Sequence, residues 1–331
     1  NMASNQHGYI VPFWNGRYYF DHSPLYFWLS TPIFKIFGAG EWQTRFVSAT
    51  AAVISTYLLF LITRKLTNTK TALLSCTIFL TFGTVVIRFA HGNLDALLLS
   101  LFLATFYFFQ KSFENKYWII PSGITFGLGM LVKSWGLGLF PIFLIIVYSI
   151  YIKKLSPLKI VVLISIGIAS SAWWYVLGYL NFGHSFINWY LLNPSEGMLQ
   201  IPPTKISFSY FSSALNDIGL WILVPFSLFI PKMKNGLQKS KFVVPFIFVA
   251  VVFITSLNLL TNKLGWYTIP AYPLLAIIFA KITENLFEKY GKLAKALFVL
   301  LIIAGISNAI RVENIHPDRS QIGAQLGQVA N

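Results

Sequence analysis

Three stretches of this chain put ionisable side chains among aromatic and apolar residues, where a charge is costly unless it is paired or used. The first runs Asn15-Gly16-Arg17-Tyr18-Tyr19-Phe20-Asp21-His22-Ser23-Pro24-Leu25-Tyr26-Phe27-Trp28-Leu29. It offers a carboxylate, a titratable ring and a guanidinium just ahead of a proline, where a helix N-terminus favours anions. A membrane interface collects Tyr and Trp without any function, but Asp21-His22-Ser23-Pro24 needs more explanation than that. The second stretch is Arg88-Phe89-Ala90-His91-Gly92-Asn93-Leu94-Asp95. If it stays helical, Arg88, His91 and Asp95 share one face, either as a self-contained ion pair or as part of a site at the mouth of the membrane. The third feature is a pair of lysines. Lys133 is the only charge between Lys116 and Lys153, and Lys263 stands in Thr261-Asn262-Lys263-Leu264-Gly265-Trp266-Tyr267, ahead of Pro270 and Pro273. Snorkelling explains such lysines without function, whereas a lysine facing a cavity is a point-charge ligand for phosphate. Arg17, Arg88, Lys133 and Lys263 together carry enough charge to neutralise a phosphate or diphosphate.

The elements that must position these residues are helices in a membrane. The 331 residues are 56% hydrophobic and 11% charged, with a mean hydropathy of +0.66; soluble domains carry about 25% charged residues. Apolar stretches of roughly 17 to 23 residues, enough to cross about 30 Å of hydrocarbon, recur along the chain. They fall at 43–63, 71–87, 94–110, 117–132, 134–152, 159–180, 211–231, 242–261 and 266–282, with a tenth at 294–310. They lack the alternation of a membrane barrel, so the expected fold is an all-α polytopic bundle of about ten transmembrane helices. Residues 24–38 are too short to span and are expected to form an interfacial helix started by Pro24. One helix across 117–152 would be roughly 54 Å long, so the chain is expected to reverse near Lys133-Ser134-Trp135-Gly136. The expected organisation is an extracytoplasmic loop over 1–42, a transmembrane domain over 43–310 and the start of a polar extracytoplasmic tail over 311–331.

Charge sets the orientation. The net charge of +15 does not indicate nucleic acid, because the basic residues form no single face. Most of the 25 gather in alternate loops at 64–70, 111–116, 153–159, 232–241 and 281–295, which the positive-inside rule makes cytoplasmic. The three stretches then lie on the extracytoplasmic face of what is read as a bacterial inner (plasma) membrane. The long loop 181–210, with His184, Asn188, Trp189 and Glu196, lies there too and has the length of a binding or lid loop. Gly123, Gly127 and Gly129 lack the spacing and preceding strand of a nucleotide loop and read as close helix packing. The single cysteine, Cys76, excludes a disulfide framework within the chain. His22, His91 and His184 show no metal-ligand spacing, so no cofactor is indicated; a divalent metal assembled in three dimensions is left open.

The first stretch is similar to the Asn-Gly…Tyr-(Asp/Glu)-Lys-Pro-Pro-Leu-x-Tyr-Trp signature of the aminoarabinose-transferase and protein O-mannosyltransferase-like membrane glycosyltransferases, of GT-C type. The resemblance continues in order through Arg88…Asp95, Gly127-Leu-Gly-Met-Leu-Val-Lys-Ser134 with Pro141, Trp174-Tyr175…Gly183, and Asn262-Lys263…Tyr267-x-x-Pro270-x-x-Pro273. It implies transfer of a hexosyl or pentosyl group from a polyprenyl-phosphate donor to a lipid (lipid A or another envelope lipid), glycan or protein acceptor on the extracytoplasmic face. Under it, Lys133 and Lys263 contact the donor phosphate, Tyr267 helps to hold it, Asp95 belongs to the rim of the active site, and Asp21 accepts from a donor hydroxyl or binds an ion. Asp21 and Asp95 are thus the candidate catalytic residues, and Arg17, His22, Arg88, Lys133, Lys263 and Tyr267 the candidate donor ligands. The expected chemistry is an inverting attack at the anomeric carbon, with lysines stabilising the departing phosphate.

The chain departs from the pattern in two places. His22-Ser23-Pro24 stands where the family has Lys-Pro-Pro, replacing a permanent cation by one that titrates near neutral pH. The family's general base ends a transmembrane helix ahead of this motif, and that helix is expected to precede Asn1 in a longer protein, as a larger C-terminal domain is expected to follow Asn331. Two other readings are a transporter or flippase of lipid-linked sugar and a non-catalytic protein that binds polyprenyl phosphate.

Overall fold

The computed structural model describes residues 2, 8–14, 16–20, 22–133, 138–192, 208–229, 242–258 and 264–315. A two-stranded hairpin opens it, Phe13–Trp14 (β1) against Arg17–Tyr18 (β2), turning at Gly16 with φ of +78°. Among the described residues the elements after it are helices: α1 (Leu25–Phe37), α2 (Glu41–Leu66), α3 (Thr69–Phe79), α4 (Gly83–Ala90), α5 (Leu94–Lys111), α6 (Ile119–Met130), α7 (Phe140–Tyr151), α8 (Pro157–Phe182), α9 (His184–Leu192), α10 (Ser209–Ile218), α11 (Val243–Leu257) and α12 (Tyr272–Ile315). A tight 3-10 segment, Gly265–Ala271, leads into α12.

The termini of these helices follow from their sequences. α2 has Glu41 in its first turn and Arg64 and Lys65 in its last, matching the helix dipole. Asn68 caps α3 by accepting from the Thr71 N–H, and Asn93 caps α5 by accepting from the Asp95 N–H. Pro157 begins α8 where a missing N–H costs nothing. Pro24, in contrast, is the residue flanking α1 and not its first, and Pro32 lies inside that helix.

Four helices are long and apolar enough to cross a membrane on their own, or five if α3 and α4 are one broken span. The apolar stretches therefore map onto helices, but several are interrupted. The expected span 71–87 is bent by 76° between α3 and α4. At the bend, Thr81 donates its hydroxyl to the Ile78 carbonyl and accepts the Trp221 indole N–H, so side-chain bonds replace part of the helical ladder. The expected span 211–231 breaks after Ile218 at Gly219, whose φ is +55°, and continues as short turns to Phe229. The expected loop 281–295 is mostly helix, interrupted only at Gly291 with φ of +50°. There α12 folds back. Tyr272 and Asn308 both bond to α10, although about 36 residues of straight helix would hold them roughly 54 Å apart.

Contacts also fix the reversal after α6. Along α5, Thr105 meets Ser122 and Phe102 lies under Gly129, so α6 runs antiparallel to α5. Phe102 also packs against Phe140 and Phe106 against Tyr148, so α7 runs parallel to α5. The chain therefore turns between 130 and 140; residues 134–137 themselves lie outside the described set. A continuous apolar core built on Phe79, Phe82, Phe106, Phe109, Trp221 and Phe246 fills the bundle. At one end of it Lys65 and Lys111 reach Glu114, and Lys159 donates to the Ser112 carbonyl. The second and third sequence stretches meet at the other end.

Candidate functional site

Lys133 is placed by a close helix contact. α6 lies against α8 along Gly123, Gly127 and Gly167; a Cβ on Gly127 would fall 2.0 Å from the Ser170 hydroxyl and 2.4 Å from the Gly167 carbonyl. Packing this tight requires glycine, and it fixes the end of α6 from which Lys133 projects. The lysine is only 6% exposed. Its Nζ donates to Asp95 Oδ1 at 2.7 Å and lies 4.4 Å from the centre of the Tyr267 ring. Burial without partners would be prohibitive for an ammonium; a carboxylate on one side and an aromatic face on the other make it tolerable. Arg88, in the last turn of α4, lays its guanidinium 3.6 Å from the centre of the Trp266 ring, within electrostatic range of Asp95.

Two cations, one carboxylate and two neighbouring aromatic rings thus converge from α4, α5, the end of α6 and the Gly265–Ala271 segment. Asp95 binds Lys133 and does not complete the shared face expected of Arg88, His91 and Asp95. α4 stops at Ala90, His91 is extended, and its backbone N–H and Nδ1 both lie on the Ile87 carbonyl. At Gly92 the backbone presses on α2, where a Cβ would fall 2.6 Å from the Thr44 carbonyl. The helix is broken between residues 90 and 94, so the spacing of three and four no longer sets a common face.

The first sequence stretch supports this cluster. Ser23 Oγ donates to the Met130 carbonyl at 3.1 Å and the Leu25 N–H to the Leu131 carbonyl at 2.9 Å, pinning the turn that carries Lys133. The Tyr175 hydroxyl binds the Met130 carbonyl from α8. Tyr26 reaches Ser48 on α2, and Ser48 accepts from the Asn93 N–H at 2.7 Å, bracing the cap of the helix that presents Asp95. Arg17 is exposed on β2, and the His22 ring packs edge-on to Tyr19. Asp21 and Lys263 lie outside the described residues; of the expected loop 181–210, His184–Leu192 is the helix α9 and residues 193–207 lie outside the described set. Among the described residues no group of three His, Cys, Asp or Glu side chains could hold a metal ion.

Sequence reasoning missed Trp266 as the partner of Arg88, and it missed Asp217, a buried carboxylate on α10. Asp217 had a visible signal, being the only acid between Glu196 and Glu284.

The architecture is a polytopic helical bundle with a buried lysine, an arginine and aromatic rings gathered at one end, and its fold has counterparts among known proteins. Residues 21–175 match the family model for dolichyl-phosphate-mannose-protein mannosyltransferases. An uncharacterized protein of Aquifex aeolicus is 26% identical over 90% of this chain and 68% of its own length. The undecaprenyl phosphate-alpha-4-amino-4-deoxy-L-arabinose arabinosyl transferase 2 of Pseudomonas fluorescens is 24% identical over 49% of this chain and 30% of that protein. Among solved structures, ArnT from Cupriavidus metallidurans bound to undecaprenyl phosphate superposes with a TM-score of 0.73 at 16% identity, covering 88% of this chain and 55% of ArnT. The Archaeoglobus fulgidus oligosaccharyltransferase in the apo form gives 0.60 at 14% identity, covering 93% of this chain and 50% of that enzyme. The chain shares the fold of these membrane glycosyltransferases, resembles the mannosyltransferase family over residues 21–175, and spans little more than half the length of the solved ArnT.

Proposed function

We propose that this chain carries the donor site of a glycosyltransferase that moves a sugar from a polyprenyl phosphate to an acceptor at the extracytoplasmic face of a bacterial plasma membrane. The observation that carries this reading is the buried Lys133 beside Asp95 and Tyr267, with Arg88 on the adjacent Trp266. The fold likeness to an ArnT bound to undecaprenyl phosphate supports it.

In this reading Lys133 and Arg88 take the charge that develops on the departing phosphate. They do so in a water-poor setting where fixed cations stabilise a transition state far better than in water. Asp95 orients Lys133 through their 2.7 Å contact until a phosphate arrives. Tyr267 supplies a ring face to the ammonium and a hydroxyl within the same segment. By the same resemblance, Asp21 and Lys263 are further candidate donor ligands.

Lys-to-Ala or Lys-to-Met replacement at 133 in the full-length protein is expected to lower sugar transfer from a polyprenyl-phosphate donor in vesicles by at least about a hundredfold, the loss of one strong transition-state contact. Unchanged turnover at normal protein level would remove Lys133 from the donor site. The 76° break between α3 and α4 is a feature that a lipid-linked-sugar transporter would share. Donor lipid appearing in the opposite leaflet without sugar transfer would favour that reading.

A further inference from the structure

We propose that Asp217 is a positioning residue that locks α4 to the Gly265–Ala271 segment and so holds Arg88 on Trp266 and Tyr267 beside Lys133.

Asp217 is 5% exposed, and its two oxygens serve two different elements. Oδ1 accepts from the Thr84 hydroxyl at 2.6 Å, on the first turn of α4. Oδ2 accepts from the Tyr272 hydroxyl at the start of α12. That hydroxyl also shares a hydrogen bond of 2.7 Å with Thr268 Oγ1, which lies 2.8 Å from the Gly265 carbonyl. The brace therefore runs from α4 through Asp217 and Tyr272 into the segment that presents Trp266 and Tyr267.

Its position matches the site it serves. Thr84 is one helical turn before Arg88, and Thr268 directly follows Tyr267. Phe82, the residue before α4, gives the helix no side-chain cap. The Asp217 carboxylate fills that role from another helix, and its charge faces the positive end of the α4 dipole. A serine or asparagine presents a single accepting oxygen. Only a carboxylate accepts on both oxygens at once, which is what joining two elements requires. Among the described residues the hydrogen bonds to Asp217 come from Thr84 and Tyr272, so its charge neutralises no lysine or arginine side chain.

The inference rests on the donor-site reading only for its consequence in catalysis; the positioning itself is read from the Trp266 ring. The full-length protein labelled with 5-fluorotryptophan gives a fluorine resonance for Trp266, assigned by Trp266→Phe. Trp118, stacked on Phe108, serves as a distant reference. Arg88→Gln defines the shift caused by losing the cation. Asp217→Asn and Asp217→Ala are expected to move the Trp266 resonance most of the way to that position while Trp118 stays. Tyr272→Phe and Thr84→Val, each removing one donor, are expected to move it part of the way. A Trp266 resonance that does not move, or one that moves together with Trp118, overturns the proposal. If Asp217→Ala does not fold, the Tyr272→Phe and Thr84→Val spectra decide on the same terms. Normal sugar transfer by Arg88→Gln would instead count against Arg88 as a phosphate ligand and leave the resonance test untouched.

Discussion

At one end of the bundle Lys65 and Lys111 share Glu114, whose side chain is 58% exposed; at the other, Lys133 and Asp95 are paired with 8% of each side chain exposed. The first arrangement is a surface ion cluster, where water and salt screen the charges and hold them nearly as well as the partners do. The second pair is nearly closed to solvent. Each cation there has a named aromatic or carboxylate partner, Lys133 with Asp95 and Tyr267, Arg88 with Trp266. Lysines of the first kind report on orientation in a membrane, as the positive-inside rule uses them. Those of the second kind are retained against a desolvation cost, which is why the donor-site reading rests on them.

The sharpest way to break the comparison is to remove one partner of the buried pair. Lys133→Met leaves Asp95 buried without its cation and is expected to destabilise the protein by about 3–5 kcal/mol, seen as a large drop in the thermal midpoint in detergent or nanodiscs. Adding Asp95→Leu removes the orphaned charge and is expected to restore most of that loss, while sugar transfer stays absent. Restored transfer in the double variant would mean that the pair serves only the fold. Arg88→Gln comes next. Loss of a half-buried cation over Trp266 is expected to cost about 1 kcal/mol and to weaken use of the polyprenyl donor. Ser23→Ala loses one buried hydrogen bond to the Met130 carbonyl, about 1 kcal/mol by chemical denaturation, with a modest fall in transfer through the loosened Lys133 turn. Glu114→Gln, at the exposed end, is expected to leave both the thermal midpoint and transfer unchanged. A clear loss there would erase the difference between the two ends.

Much of this arrangement was legible in the sequence because burial in a membrane is written in composition. Apolar runs gave the helices α2, α5 and α8 closely, and the lone Lys133 between Lys116 and Lys153 stood out as a charge with no obvious solvent. The breaks were not legible. The bend between α3 and α4 depends on Trp221 bonding Thr81 across 140 positions, and the fold-back of α12 depends on the backbone angle at Gly291. Neither leaves a mark on hydropathy. In the site, the spacing of Arg88, His91 and Asp95 suggested one helical face, but the backbone contact at Gly92 breaks the helix and sends Asp95 to Lys133 instead. Partner choice of this kind is decided in three dimensions, by which helices pack; glycines on α6 and α8 let those two helices approach closely and so fix the end of α6 beside α5.

The central claim is that the buried lysine at one end of this bundle receives the phosphate of a polyprenyl carrier. Its most direct test is the affinity of undecaprenyl phosphate for the full-length protein in nanodiscs, compared between the unaltered chain and the Lys133→Met, Asp95→Leu double variant, which keeps a neutral, packed site. The account predicts affinity at least about tenfold weaker in the double variant, as expected for loss of a charge-assisted phosphate contact, at a thermal midpoint close to that of the unaltered chain. Equal affinity in a folded double variant would contradict it.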